Sequence, residues 1–130
     1  MATKRVFKTK TFSRWAKGLL PDVVLCEAAL DIEQGRFEAD LGGGVCKKRI
    51  ALPGMGKSGG TRTLVAKQNK LALFFMTGRS KSDPGTDFSS EEIDVVKSVA
   101  ASFHAASVAQ IEILKTVGAV KEICNDQTAR

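Results

Sequence analysis

The spacing of apolar residues predicts a helix that starts near Pro21. Proline suits the first turn of a helix, and Gly35 is a residue type that ends one. A strand over residues 5–9 and a helical turn carrying Trp15 are expected before it. The residues that recur at i, i+3, i+4 and i+7, and so share one face, are Leu25, Ala28, Ala29 and Ile32.

Two capping boxes predict two more helices in the second half of the chain. Ser89 is followed three residues later by Glu92, and Ser107 is followed by Gln110. We expect the polar chain after about residue 118 to be frayed. The residues predicted to face inward are Ile93, Val96, Ala100 and Phe103 in the first helix, and Ile111, Leu114 and Val117 in the second.

Three strand-like runs, over residues 45–52, 61–67 and 71–77, lie between these helices. The third run is apolar on both faces, which predicts a central strand covered on both sides. The short connection at residues 68–69 predicts an antiparallel hairpin of the second and third runs. The expected fold class is α+β: a small antiparallel sheet of three to four strands, flanked by N-terminal and C-terminal helices, in one domain over residues 1–130.

The amino-acid composition limits the kinds of partner and cellular location that we expect. Hydrophobic residues make up 43% of the 130 residues, and 20 basic residues against 14 acidic ones give a net charge of +6. This balance favours a polyanionic partner. No apolar run reaches the ~18 residues of a membrane span, and no hydrophobic signal region follows the basic N-terminus, so we expect a cytoplasmic protein without membrane contact.

The three cysteines and the single histidine do not indicate a disulfide framework or a metal site. Cys26, Cys46 and Cys124 are odd in number and contain no CxxC pair, so neither a disulfide framework nor a zinc site is indicated. Cys26 and Cys46 are expected to be small core residues. His104 is expected at a surface or helix end. Because no cluster of His, Cys and acidic residues is present, we expect no metal and no cofactor.

The predicted strands bring several basic side chains to one surface. Alternation places Lys47 and Arg49 on one face of the first run, Arg62 lies just inside the second, and Arg79 and Lys81 lie at the end of the third. If these strands are neighbours, the cations converge with Lys57 from the glycine-rich loop 53–60. Such a cluster binds phosphates and stabilises charge on a phosphorane-like transition state.

The same residues fit two other interpretations. Taken singly, the lysines of the first run also fit a solvated strand face. Gly56-Lys57-Ser58 suggests a nucleotide-binding P-loop, but Ala51 stands where that motif needs glycine, and a strand rather than a helix follows.

The chain resembles the RelE/HigB-like toxins of type II toxin–antitoxin systems. The resemblance covers about residues 5–117, and its most specific part is Gly56-Lys57-Ser58-Gly59-Gly60-x-Arg62. The segments 5–10, 47–51 and 73–78 and the later Lys81 are also similar to that family.

The resemblance implies a metal-independent endoribonuclease that cleaves messenger RNA on the ribosome and inhibits translation. The 2′-hydroxyl would attack the adjacent phosphate and leave a cyclic phosphate. It also implies a cognate antitoxin, often a helix-turn-helix DNA-binding protein. Carried over, the catalytic residues would be Lys57, Arg62 and Lys81, and the RNA-binding residues would be Lys47, Arg49 and Arg79.

The chain departs from the family in two places. It has no tyrosine, so Phe88 would be the residue that stacks on a base, and residues 82–85 replace a further basic or amide residue. Two alternatives therefore stay open: a non-catalytic RNA- or protein-binding module, and a gyrase-directed, ParE-like toxin on the same scaffold.

Overall fold

Six strands and four helices form in the part of the chain that the structure describes. In a computed structural model, the backbone is described for residues 4–52, 54, 56–80, 83–85 and 87–124, and the side chains for all of these except residues 56–59. The elements in order are β1 (Arg5–Thr9), α1 (Lys10–Ala16), α2 (Asp22–Glu33), β2 (Ala39–Gly42), β3 (Val45–Leu52), β4 (Gly56–Ala66), β5 (Ala72–Ser80), α3 (Ser90–His104), α4 (Val108–Thr116) and β6 (Val120–Ile123).

The strands form one sheet in the order β2-β3-β4-β5-β1-β6. All neighbours are antiparallel except β1 and β5, which are parallel. The α+β class and the β4–β5 hairpin are confirmed, but the expected antiparallel sheet of three to four strands is wrong, because the sheet is mixed and has six strands. The missed strands β2 and β6 have four residues each, too few for an alternating pattern to stand out.

Helices cover both faces of the sheet. α1 and α2 pack on one face, where Phe12 and Leu25 meet Val65 and Phe75. α3 and α4 pack on the other, where Phe103 and Ile111 belong to the cluster that contains Leu64 and Phe74. Neighbouring residues of one strand thus enter different cores, as strand alternation requires.

The helix predictions are largely confirmed. The predicted face of α2 is buried, and both capping boxes form at Ser89 and Ser107. Val117 is the exception, since it caps the C-terminus of α4 and is 67% exposed. None of the helices in the described residues has the length and apolar character that a membrane crossing requires.

The chain after residue 118 is not frayed as far as it is described, which corrects the sequence-based expectation. β6 pairs with β1 from Thr9↔Val120 to Val6↔Ile123. Glu122 accepts two hydrogen bonds from Arg5, both of 2.9 Å, and one of 2.9 Å from Lys115. Residues 125–130 lie outside the described residues.

A disulfide also holds this end, and here the cysteine prediction is wrong. Cys26 in α2 and Cys124 just after β6 are bonded, with their Cα atoms 5.6 Å apart and their positions separated by 98 in sequence. Such a pair is invisible to spacing rules, because only the tertiary fold brings it together. Cys46 is a free, buried core residue as predicted, and burial raises the pKa of its thiol to about 12.

Loss of this cross-link should destabilise the fold. We expect Cys124→Ser to lower the free energy of unfolding by roughly 2 to 4 kcal/mol, because the unfolded chain regains the freedom of a long closed loop. Urea unfolding measures the change. Reductant should shift the wild-type midpoint to that of the variant and leave the variant itself unchanged; an unshifted wild type would contradict the disulfide.

The Arg5–Glu122 contact predicts a specific pH dependence. The hydrogen bond from Arg5 lowers the pKa of the Glu122 carboxyl from its ordinary value of 4.5 to about 2. Since the folded-state pKa is depressed, the stabilisation is complete above the unfolded value and is lost as the pH falls towards 2.

We therefore expect Glu122→Gln to reduce stability at pH 7 by about 1 to 3 kcal/mol. The difference from the wild type should shrink below pH 4.5 and vanish near pH 2. Urea titrations across this range measure it. The exposed Glu27→Gln serves as control, and a difference that stays constant with pH would refute the assignment.

Candidate functional site

Three arginines stand side by side across the middle of the sheet. Arg49 on β3 is directly opposite Arg62 on β4, and Arg62 is directly opposite Arg79 on β5. Lys47 lies two residues before Arg49 and therefore shares its face. We call this set, Lys47, Arg49, Arg62 and Arg79, the arginine face. The predicted convergence of these four cations on one surface is confirmed.

Buried threonines fix the direction of Arg62. Thr61 and Thr63 flank it in β4 and are fully buried on the opposite face. Their hydroxyls donate to the carbonyls of Ile50 at 2.9 Å and Lys48 at 2.8 Å. Because these bonds lock β4 onto β3 on both sides of Arg62, its side chain is held on the side of the sheet where α3 lies.

Arg79 is the most enclosed member of the arginine face. Only 9% of it is exposed, and its guanidinium lies 5.9 Å from the centre of the Phe88 ring. Its Nη1 donates to the carbonyl of Asp87 at 2.8 Å, and its Nη2 donates to the carbonyls of Asp83, Pro84 and Gly85. Arg79 therefore shapes the loop between β5 and α3.

Phe88 cannot take the role that the sequence suggested. Its side chain is only 8% exposed and belongs to the core under α3. A ring that is packed against Arg79 on one side and the core on the other offers no face to a base. The stacking prediction for Phe88 is therefore wrong.

An aspartate sits inside the cationic cluster. Asp87 accepts a 2.5 Å hydrogen bond from Lys47 and a 2.8 Å bond from the backbone amide of Phe88. Burial raises the pKa of the Asp87 carboxyl, but these bonds and the charges of Lys47 and Arg62 outweigh that effect, so the net pKa is lowered. Asp87 thus stays ionised and neutralises part of the cluster.

Arg62 and Arg49 keep their charges available. Arg62 is half-buried and Arg49 is exposed, and neither guanidinium forms an ion pair with any acidic group of the described residues. Arg49 is fixed only through its backbone N–H, which donates to Glu38 Oε1 at 2.7 Å. Guanidiniums that are not held in ion pairs are the groups that bind phosphates bidentately in proteins.

The remaining predicted residues have other placements. Lys57 belongs to β4, which starts at Gly56 and so extends well into the predicted loop, but its side chain is outside the described residues, as is all of Lys81. Lys48 points to the opposite face, where its Nζ contacts Asp31 and the carbonyl of Arg36. Within the described part of the chain, no group of His, Cys, Asp and Glu could hold a metal ion.

The sequence of the chain matches a known protein family. The family model described as the RelE toxin of the RelE / RelB toxin-antitoxin system matches residues 4–123. The chain belongs to the RelE toxin family. No curated protein matches the chain. As a RelE toxin, it is the toxin component of a toxin–antitoxin system, and RelE toxins pair with a RelB-type antitoxin.

Sequence reasoning missed Asp87 in this RelE toxin. Asp83 and Asp87 flank Pro84-Gly85, a pattern typical of turns, and nothing in the local sequence separates a turn aspartate from one that pairs with a lysine 40 positions earlier. The internal bonding of Arg79 was missed for the same reason. Only the register of β4 with β5 places Arg79 beside Arg62, and the local sequence does not reveal that register.

The two neighbouring arginines should respond differently to substitution. We expect Arg79→Ala to lower the free energy of unfolding by about 1 to 3 kcal/mol, because the carbonyls of the β5–α3 loop lose their donor. Arg79→Lys should recover only part, since an ammonium lacks the planar fork. Arg62→Ala should change stability by no more than about 0.5 kcal/mol. Urea unfolding distinguishes them; equal losses would contradict the separate roles.

Proposed function

We propose that this RelE toxin is a metal-independent endoribonuclease that cleaves messenger RNA on the ribosome and so inhibits translation. The observation that carries the proposal is the strand register. It places Arg49, Arg62 and Arg79 directly opposite one another on three neighbouring strands. Like charges opposite each other destabilise a sheet, so an alignment of this kind needs a compensating anion. An RNA phosphate supplies it.

The chemistry is an in-line transfer within the RNA. The 2′-hydroxyl loses its proton as its oxygen attacks the adjacent phosphorus. The bond to the 5′-oxygen of the next nucleotide breaks, that oxygen takes up a proton to become a 5′-hydroxyl, and a 2′,3′-cyclic phosphate remains. Negative charge builds up on the phosphorane oxygens during this step. In this proposal Arg62, on the middle strand of the three, binds those oxygens with two parallel N–H donors.

The other residues have graded roles in the proposal. Lys57 and Lys81 join Arg62 as catalytic residues. Lys57 lies in β4, the strand that carries Arg62, and Lys81 comes directly after β5 in the sequence, the strand that carries Arg79. Arg49 binds a neighbouring phosphate from the exposed flank. Lys47 and Arg79 support phosphate binding, with Lys47 held by Asp87 and Arg79 held by the loop.

The antitoxin belongs to the same proposal. A translation inhibitor must be held inactive in the cell that makes it, and a helix-turn-helix antitoxin would couple that control to transcription of the pair. The basic chain, with its net charge of +6, favours an acidic partner as well as RNA.

Substitution of Arg62 tests the reaction. We expect Arg62→Ala to reduce RNA cleavage about 100-fold or more, because one preformed donor to the developing charge is lost. Mapping of RNA 5′ ends after induction measures cleavage, and growth arrest reports its consequence. Arg14→Ala, which removes an equal charge from the exposed surface of α1, should behave like the wild type.

Two outcomes would change the conclusion. Full cleavage by Arg62→Ala would remove Arg62 from the catalytic set. Salt-sensitive RNA binding without any new RNA ends in the wild type would leave a binding surface without catalysis, which is the non-catalytic module.

A further inference from the structure

The end of β5 that carries Arg79 begins with an irregularity. The register of β4 with β5 shifts between Leu64 and Val65, which leaves one extra residue, Met76, in β5. A bulge of this kind bends the strand and changes the direction in which the following side chains point. The position of Arg79 therefore depends on what holds β5 after the bulge.

β1 pairs with β5 only up to this bulge. The last pair in their register is Lys8 with Phe75, and the chain then turns into α1. The hydroxyl of Thr9 makes the next contact, because it donates to the carbonyl of Met76 at 2.9 Å. The same hydroxyl caps α1 by accepting from the backbone amide of Phe12 at 3.1 Å. One side chain thus fixes the start of α1 to the bulge.

α1 continues beside β5 and places Trp15 on Gly78. The ring of Phe12 lies 5.1 Å from that of Phe75 and 5.4 Å from that of Trp15, measured between ring centres. A Cβ atom at position 78 would collide with the Trp15 ring, so the ring lies directly against the backbone of the glycine. A side chain of α1 therefore occupies the space that a side chain of β5 would fill.

The glycine makes the end of β5 depend on this contact. A glycine inside a strand has no side chain to pack and has more backbone freedom to lose. Gly78 precedes Arg79 and lies on the opposite face of β5, so the Trp15 ring supports the strand from behind the guanidinium. Since Arg79 is paired with Arg62 across the strands, a movement of Gly78 changes the distance between the two guanidiniums.

Arg79 transmits this support to a further cation of the arginine face. Its Nη1 donates to the carbonyl of Asp87 at 2.8 Å, and the carboxylate of Asp87 is paired with Lys47. A shift of Arg79 therefore moves the loop whose aspartate holds Lys47. The contact between Trp15 and Gly78 thus bears on three strands of the site.

We propose that Trp15 is a positioning residue for the arginine face. It acts through Gly78 from the opposite side of the sheet, and the proposal rests on the proposed function, because the reaction is what the alignment of Arg62 and Arg79 serves. Alignment matters most in the transition state, where a displacement of about 1 Å costs a factor of about 100 in rate. Loss of the Trp15 ring should therefore lower kcat more than it raises KM.

The experiment is a double-mutant cycle in the full chain. Trp15→Leu removes the ring but keeps an apolar side chain, and Gly78→Ala adds a methyl group where the ring lies. In the double variant the methyl group enters the space that the ring has left. The control is Phe37→Leu, because Phe37 is another partly buried aromatic residue of the same core and lies beside Lys67, near the start of β5.

The readouts separate positioning from general stability. Urea unfolding shows whether each variant folds. Trp15→Phe, which keeps a smaller ring on Gly78, should recover part of any loss, and it replaces Trp15→Leu in the cycle if that variant does not fold. The rate of cleavage of ribosome-bound messenger RNA gives kcat and KM, and amide hydrogen exchange over residues 77–80 reports on the end of β5 without any reaction.

We expect Trp15→Leu to lower kcat at least about 10-fold and to change KM less than about threefold. Gly78→Ala should be similarly impaired, and the double variant should be more active than Gly78→Ala alone, because the collision is absent. Exchange over residues 77–80 should be at least about 10-fold faster in Trp15→Leu than in the wild type. Phe37→Leu should resemble the wild type in kcat and in this exchange.

Several results would overturn the proposal: a wild-type kcat in Trp15→Leu, an equal loss of kcat in Phe37→Leu, effects that simply multiply in the double variant, or unchanged exchange over residues 77–80. A wild-type protein that does not cleave RNA would refute the proposed function instead. Exchange over residues 77–80 would then decide by itself whether Trp15 holds β5 in place.

Discussion

The pairing register of β3 with β4 is the constraint on which the site depends. A shift of one residue would turn every side chain of a strand to the other face and would place Arg62 in the core under α2. Buried residues prevent this shift, since Cys46 pairs with Val65 on one face and Val45 pairs with Ala66 on the other. The hydrophobic core thus positions the cations, although none of its residues is in the site.

The aligned cations have an electrostatic cost that the fold only partly offsets. Two unit charges 4 Å apart interact by about 1 kcal/mol in water and by about 4 kcal/mol near a protein surface. Asp87 offsets the charge of Lys47, and four carbonyls with the Phe88 ring accommodate Arg79. Arg62 is only partly compensated, through its attraction to Asp87, and Arg49 forms no ion pair in the described residues. In the proposed function, a bound RNA phosphate relieves this remaining repulsion.

Local patterns were enough for part of this structure. Helix spacing gave the buried face of α2, capping boxes gave the starts of α3 and α4, and strand alternation placed Lys47 and Arg49 together. Features that depend on distant parts of the chain were not predictable. The parallel pairing of β1 with β5, the Cys26–Cys124 bond and the Lys47–Asp87 contact each join residues whose local sequence shows no relation. The catalytic roles of Lys57, Arg62 and Lys81 and the RNA-binding roles of Lys47, Arg49 and Arg79 stay predictions.

The position of β1 has a consequence for folding during synthesis of the chain. β1 is synthesised first among the strands, yet its neighbours in the sheet are β5 and β6, and the Arg5–Glu122 contact joins residues 117 positions apart. The hairpins from β2 to β5 pair strands that are near in sequence, whereas β1 pairs only after β5 has been synthesised and gains its second neighbour only after β6. A growing chain therefore carries a sheet without its β1–β6 edge until residue 123 has been synthesised, so the Arg5–Glu122 contact is among the last to form.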